Sequence, residues 1–210
     1  MSIEENKKLT VGILIFDEVE VLDFCGPFEV FATARDPQQA DATQRLFKVL
    51  TIAETNQVIS CRGGLLVKPM ATIDDHPSLD LIVIPGGQGT RKEVENPRII
   101  KWIQEQNNLA QLTTSVCTGA FLLAEARLLD NHRATTHWQS IERMQRTYPQ
   151  VEVLTDTRFV DDGHIVTSAG ISAGIDMSLY IVERLHGQET AQWTARNMEY
   201  EGYKTQLNSK

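Results

Sequence analysis

The chain has 210 residues, 41% of them hydrophobic and 23% charged, with a formal net charge of −8. This is the composition of a globular protein with a sizeable core. The acidic balance and the lack of any Lys/Arg cluster exclude nucleic acid as an expected partner, because phosphate contacts need cationic side chains. No apolar run approaches the roughly 18 residues of a membrane-spanning helix, so no membrane partner is expected either. The three cysteines, Cys25, Cys61 and Cys117, are far apart and form no C-x-x-C pair. Neither a disulfide framework nor a zinc site follows from that spacing. The start, MSIEENKKLT, is charged and is not a signal peptide. The expectation is one domain over residues 1–210, reduced and cytoplasmic.

In chain order, residues 9–16 (LTVGILIF) form a continuous apolar run, as expected of a central strand buried on both faces. Residues 17–23 (DEVEVLD) read as a connection with four carboxylates, and Gly26–Pro27 as the opening of a helix. A polar loop (36–45), a second strand (46–53) and a hairpin over 57–69 with Gly63–Gly64 in its turn follow. Residues 79–84 (LDLIVI) form a third buried strand, ending in Pro85-Gly86-Gly87. Asn96 caps a helix that starts at Pro97 and runs to about Asn107. Residues 111–116 are a buried strand, Cys117 is the turn, and a helix continues to about Leu129. Short strands over 134–136, 151–154, 159–161 and 165–168 surround a helix over 140–146, with Asp162–Gly163 as a turn. Residues 175–185 are an apolar helix, and the tail from Glu189 starts helical. Alternating buried strands and helices imply a mainly parallel sheet covered on both faces.

The strand–Cys117–helix stretch carries the chemistry. Such a turn lies at the carboxyl edge of the sheet, where open α/β sheets bind ligands. A cysteine at a helix N-terminus has its thiol pKa lowered, which makes Cys117 a candidate nucleophile on a sharp turn. The plain alternative is a buried free cysteine that only packs. Gly86 and Gly87 let a ligand approach the backbone, and their N–H groups are expected to join that of Thr118 around a developing negative charge. Nucleotide binding is not indicated, since the glycine spacing is not G-x-G-x-x-G and no Walker lysine follows. Among the acidic residues, Asp17, Glu18 and Glu20 read as a solvated loop. Asp23 sits in the apolar stretch Val21-Leu22-Asp23-Phe24 and is expected to be partly buried, with a raised pKa. The histidines form no H-E-x-x-H or i,i+4 pair, so no metal site is expected. His137 is either a base for Cys117 or a structural hydrogen-bonding group.

Five stretches together resemble the DJ-1/PfpI superfamily over nearly the whole length: Leu22-Asp23-Phe24-Cys25-Gly26-Pro27, Ile84-Pro85-Gly86-Gly87, Thr114-Ser115-Val116-Cys117-Thr118-Gly119, Arg133-Ala134-Thr135-Thr136-His137-Trp138 and Ala173-Gly174-Ile175-Asp176. The resemblance implies a flavodoxin-like three-layer α/β/α sandwich with a mainly parallel sheet, similar to class I glutamine amidotransferases, and a homodimer. Two branches are similar in pattern. One hydrates isonitriles to N-formamides; by that match Cys117 is the nucleophile, Asp23 the general acid/base, and Thr118 lies beside the thiol. Gly86, Gly87, Thr118 and Gly119 then form the oxyanion and substrate-binding surface, and no cofactor is required. The other branch is the amidase-like domain of AraC-type regulators, which implies a non-catalytic small-molecule or redox sensor. Cys25 departs from the hydratase pattern, which has Thr there. The protease branch has His after the cysteine, and Thr118 argues against it.

Overall fold

The computed structural model describes residues 8–38 and 44–202. Its core is a seven-stranded sheet. In chain order the elements are β1 (Leu9–Leu14), α1 (Val21–Thr33), β2 (Phe47–Ala53), β3 (Ile59–Ser60), β4 (Leu66–Val67), β5 (Ala71–Thr72), β6 (Leu81–Ile84), α2 (Thr90–Glu93), α3 (Pro97–Leu109) and β7 (Leu112–Val116). Then come α4 (Gly119–Glu125), β8 (Arg133–Ala134), a 3-10 turn (Trp138–Ser140), α5 (Ile141–Thr147), β9 (Glu152–Val153), β10 (Phe159–Asp162), β11 (Ile165–Ser168), α6 (Ala173–His186) and α7 (Gln188–Asn197). The sheet runs β10-β11-β7-β6-β1-β2-β5. All its pairings are parallel except β10 with β11. Helices α1, α6 and α7 group together over it, and α2, α3 and α4 form a second group. This is the flavodoxin-like α/β architecture.

The three apolar runs expected as parallel strands are β1, β6 and β7, side by side. Ile13, Leu14 and Ile15 are fully buried, as are Leu81 to Ile84. Each such aliphatic side chain contributes about 1.5–3 kcal/mol of hydrophobic stabilisation. The chain leaves β1 toward β2 on one side, while β6, β7 and β11 extend the sheet on the other. The switch therefore falls between β1 and β6, where the connections diverge and open a crevice at the carboxyl edge. The loops after β1, β6, β7 and β11 all reach that edge.

Several boundaries differ from expectation. Helix α1 begins at Val21, so Asp23 lies in its first turn rather than ahead of it, and Pro27 sits inside the helix. Apolar burial of Phe24, Val30 and Phe31 holds the helix through the missing Pro27 N–H. Helix α4 stops at Glu125, short of Leu129, because Arg127 adopts a φ of 63°. The one-turn helix α2 and the short strand β5 carry no periodic apolar signal and were not expected. The hairpin β3–β4 is antiparallel, with Gly63 and Gly64 both at positive φ. Asn96 does cap α3, accepting from the N–H of Arg98 at 3.1 Å. The middle of the polar loop over 36–45 and the end of the tail lie outside the described residues.

Candidate active site

Cys117 follows β7 with a φ of 57°. That left-handed conformation is uncommon for a residue with a side chain and marks a turn held by its surroundings. Its N–H donates to the Ser168 carbonyl at 3.1 Å, and its own carbonyl accepts from Thr136 Oγ1 at 2.8 Å. Thr135 ties the same segment to β11 through Thr167 Oγ1 at 2.9 Å. The Ala-Thr-Thr-His stretch thus braces the elbow from behind. Gly119 lets α4 start immediately: a Cβ there would lie 1.9 Å from the Ile84 carbonyl oxygen.

Asp23 reaches the thiol from the other side of the crevice. It is completely buried, with Oδ2 accepting the Gly86 N–H at 3.0 Å and Oδ1 without a hydrogen-bond partner. Burial pushes its pKa up to about 7, with Glu20 adding to the rise and the Gly86 N–H, the Cys117 thiol and Arg62 opposing it. The Cys117 thiol is also pushed up, first by burial and then by the Asp23 charge, against hydrogen bonds from Thr118. This corrects the expectation of a thiol acidified by its helix: α4 is short, and desolvation outweighs it. Each group raises or opposes the other's ionisation, so the two titrate as a coupled pair in which the carboxyl is the group that changes charge near neutrality.

Thr118 is the hub of the crevice. Its Oγ1 accepts from the Gly87 N–H at 3.0 Å and from Thr90 Oγ1 at 3.2 Å. The loops after β1 and β6 are stitched by the Val19–Gly87 bridge, with Gly87 at a φ of 132° and a Cβ there only 2.3 Å from the Glu18 carbonyl oxygen. Gly86, Gly87, Thr118 and Gly119 are therefore brought together. However, the N–H of Gly86 is committed to Asp23 and that of Gly87 to Thr118. The expectation that both face an anion beside the sulfur is corrected: the buried Asp23 carboxyl and the half-buried Thr118 hydroxyl take the donors first. The Thr118 N–H is the donor directed at the sulfur.

A cavity of about 130 Å³ opens onto the sulfur, with Glu20, Arg62, Arg91, His137 and Ile171 in its wall. Glu20 pairs with Arg62 at 2.8 Å, and Asp17 holds the hairpin by accepting the Ser60 N–H at 2.9 Å. The acidic loop thus has structural work, and Asp23 alone is buried. His137 accepts the Gln139 N–H on Nδ1 at 3.3 Å, a capping bond, and burial followed by Arg62 lowers its pKa. Cys25 is partly exposed and acts on Cys61, whose pKa is raised first by burial and then by Cys25. Among the described residues, no three His, Cys, Asp or Glu side chains cluster as metal ligands would. Also among them, no helix is long and apolar enough to cross a membrane.

Sequence reasoning missed Gly170. A Cβ there would lie 2.4 Å from His137 Cδ2 and 3.0 Å from Cys117 Sγ, so only a residue without a side chain leaves room for both. Its position just past β11, at the same carboxyl edge, was the available signal. Arg62 and Arg91 had none, since they arrive from a hairpin turn and an unpatterned helix.

Residues 9–184 match the DJ-1/PfpI family. Isonitrile hydratase of Pseudomonas putida is 36% identical over 192 residues, covering 91% of this chain and 78% of that one. The HTH-type transcriptional regulator GbdR of Pseudomonas aeruginosa is 27% identical over 192 residues, 91% of this chain but 51% of its own length. The crystal structure of a ThiJ/PfpI family protein from Pseudomonas syringae superposes with a TM-score of 0.82 at 26% identity, covering 96% of this chain and 78% of that one.

Proposed function

This chain belongs to the DJ-1/PfpI family, and from that premise we propose that it is a cofactor-independent, cysteine-dependent hydratase that adds water to an isonitrile to give an N-formamide. The observation that carries the reading is the buried Cys117–Asp23 pair, in which a carboxyl with a pKa near 7 lies against a thiol. The likeness to isonitrile hydratase supplies the substrate class.

The chemistry follows from the pair. Asp23 takes the Cys117 proton as sulfur attacks the terminal carbon of R–N≡C, then delivers that proton to the same carbon. The product is a thioimidate, R–N=CH–S–Cys117, so that S–H has been added across one carbon. Asp23, again a carboxylate, removes a proton from water, which attacks the thioimidate carbon. The nitrogen takes that proton, and the tetrahedral adduct collapses. The C–S bond breaks, sulfur regains a proton, and R–NH–CHO leaves. Covalent catalysis divides the hydration into two easier steps. A carboxyl that must give and take the same proton works best with a pKa near the working pH. The Thr118 N–H steadies sulfur as negative charge comes and goes on it.

The match to GbdR favours a second reading, a ligand- or redox-sensing domain without turnover. Incubating the purified protein with an aryl isonitrile separates the two. Steady formation of the N-formamide, lost in Cys117→Ala, supports the hydratase. Its absence across several isonitriles favours the sensor. A homodimer is part of the same proposal, and sedimentation measures it.

A further inference from the structure

Beside the Cys117 cavity lies a second one of about 210 Å³, walled by Thr90, Arg91, Phe121, Arg143 and Tyr148. Arg91 lines both cavities, and Thr90 hydrogen-bonds Thr118 across the partition. Arg62, Arg98, Arg127, Arg133, Arg158 and Arg184 each have a carboxylate partner. No ion pair among the described residues includes Arg91 or Arg143. Among the described residues, the Arg91 side chain donates to the neutral Gln88 side chain. The Arg143 guanidinium lies 4.0 Å over the Phe121 ring, partly withdrawn from water. Glu125, the carboxylate of α4, accepts from the Tyr148 hydroxyl at 2.8 Å instead of pairing with either arginine. Two cations therefore line one aromatic-walled recess, and among the described residues neither is in an ion pair. Arg143 is held below its ordinary pKa first by burial and then by Arg91.

We infer that the recess between Arg91 and Arg143 is a carboxylate subsite, and that the substrate brought to Cys117 carries a carboxylate beyond its reacting carbon. A bound carboxylate relieves the repulsion between the two guanidiniums and accepts their directed N–H donors. Phe121, under Arg143, and the half-buried Tyr148 give the recess an aromatic wall against which an aryl spacer can pack. Arg91, which lines both cavities, is the side chain the subsite shares with the cavity at the sulfur. The substrate half of this inference rests on the hydratase reading; the anion subsite does not.

The test has two arms. Calorimetric titration compares benzoate with its neutral isostere benzamide. Benzoate should bind about 10–100-fold more tightly, the size of one charge-assisted hydrogen bond or slightly more. Arg143→Met keeps an apolar stem over Phe121, and Arg91→Met removes the other cation. Each should bring the benzoate-to-benzamide ratio toward one. Equal binding of the two probes by the unaltered protein overturns the subsite. The second arm compares kcat/KM for 4-isocyanobenzoate and phenyl isocyanide. A preference of similar size for the carboxylated isonitrile, reduced in both variants, supports the substrate class, and equal kcat/KM values overturn it. If benzoate binds selectively while neither isonitrile is hydrated, the hydratase reading and the substrate class fall and the subsite stands.

Discussion

Replacing Asp23 by Asn should make the protein more stable while it loses activity. Asp23 is wholly buried and its pKa is raised from 3.8 to about 7. A carboxyl whose folded pKa lies above its unfolded value binds its proton more tightly in the native state. Its favourable contribution is complete below pH 3.8 and is lost as pH rises through about 7, because the native state must then hold a buried charge. The shift corresponds to about 4 kcal/mol at one pH unit per 1.36 kcal/mol, of which about 2.5 kcal/mol develops between pH 5 and pH 8. Asn stays neutral throughout and keeps an oxygen for the Gly86 N–H. The assay is urea unfolding of both proteins at the two pH values. The stability difference, variant minus unaltered protein, should grow by about 2.5 kcal/mol from the lower to the higher pH. A difference that stays constant would mean that Asp23 titrates as an ordinary carboxylate, and the proton-shuttle argument would lose its physical basis.

Three further outcomes follow from the same geometry. In steady-state assays, kcat/KM for isonitrile hydration should fall as pH drops below about 7, since a protonated Asp23 cannot accept the Cys117 proton; a flat acid limb down to pH 5 counts against this. Gly170→Ala places a methyl 3.0 Å from the sulfur and 2.4 Å from His137, so iodoacetamide labelling of Cys117, followed by peptide mass, should slow by at least tenfold, whereas labelling of Cys25 should not. Thr118→Val deprives the half-buried Gly87 N–H of its acceptor, and thermal unfolding should show a loss of about 1 kcal/mol, the low end of the cost of an unpaired donor because water reaches it in part.

Much of this architecture was legible before any coordinates. Residues 9–16, 79–84 and 111–116 are apolar runs too short for helices, which forces them into a doubly covered sheet. Once they are parallel, Asp23, Gly86 and Cys117 must share an edge. The apolar neighbours of Asp23 foretold its burial. Local pattern could not supply the balance of competing terms. A helix start after Cys117 argues for an acidic thiol, yet the desolvation that opposes it depends on everything packed around the elbow. Gly86 and Gly87 have the right position for oxyanion donors, but their N–H groups face Asp23 and Thr118, partners 63 and 31 residues away. Pro27 inside α1 likewise reflects tertiary packing that overrides a local break signal. Arg91 and Arg143 stand 52 positions apart on unrelated helices, and nothing in their surroundings in sequence brings them together.

The central claim is that sulfur becomes covalently bound to the substrate carbon and that Asp23 moves the proton. Acid quenching during turnover of an aryl isonitrile, followed by mass measurement of the peptide bearing Cys117, tests it directly. The peptide should gain the mass of one intact isonitrile in the unaltered protein, with the adduct absent from Cys117→Ala and slower to form in Asp23→Asn by about 10²–10⁴-fold, the usual worth of general acid–base help. Undiminished formamide production by Cys117→Ala, with no adduct on any cysteine, would contradict it.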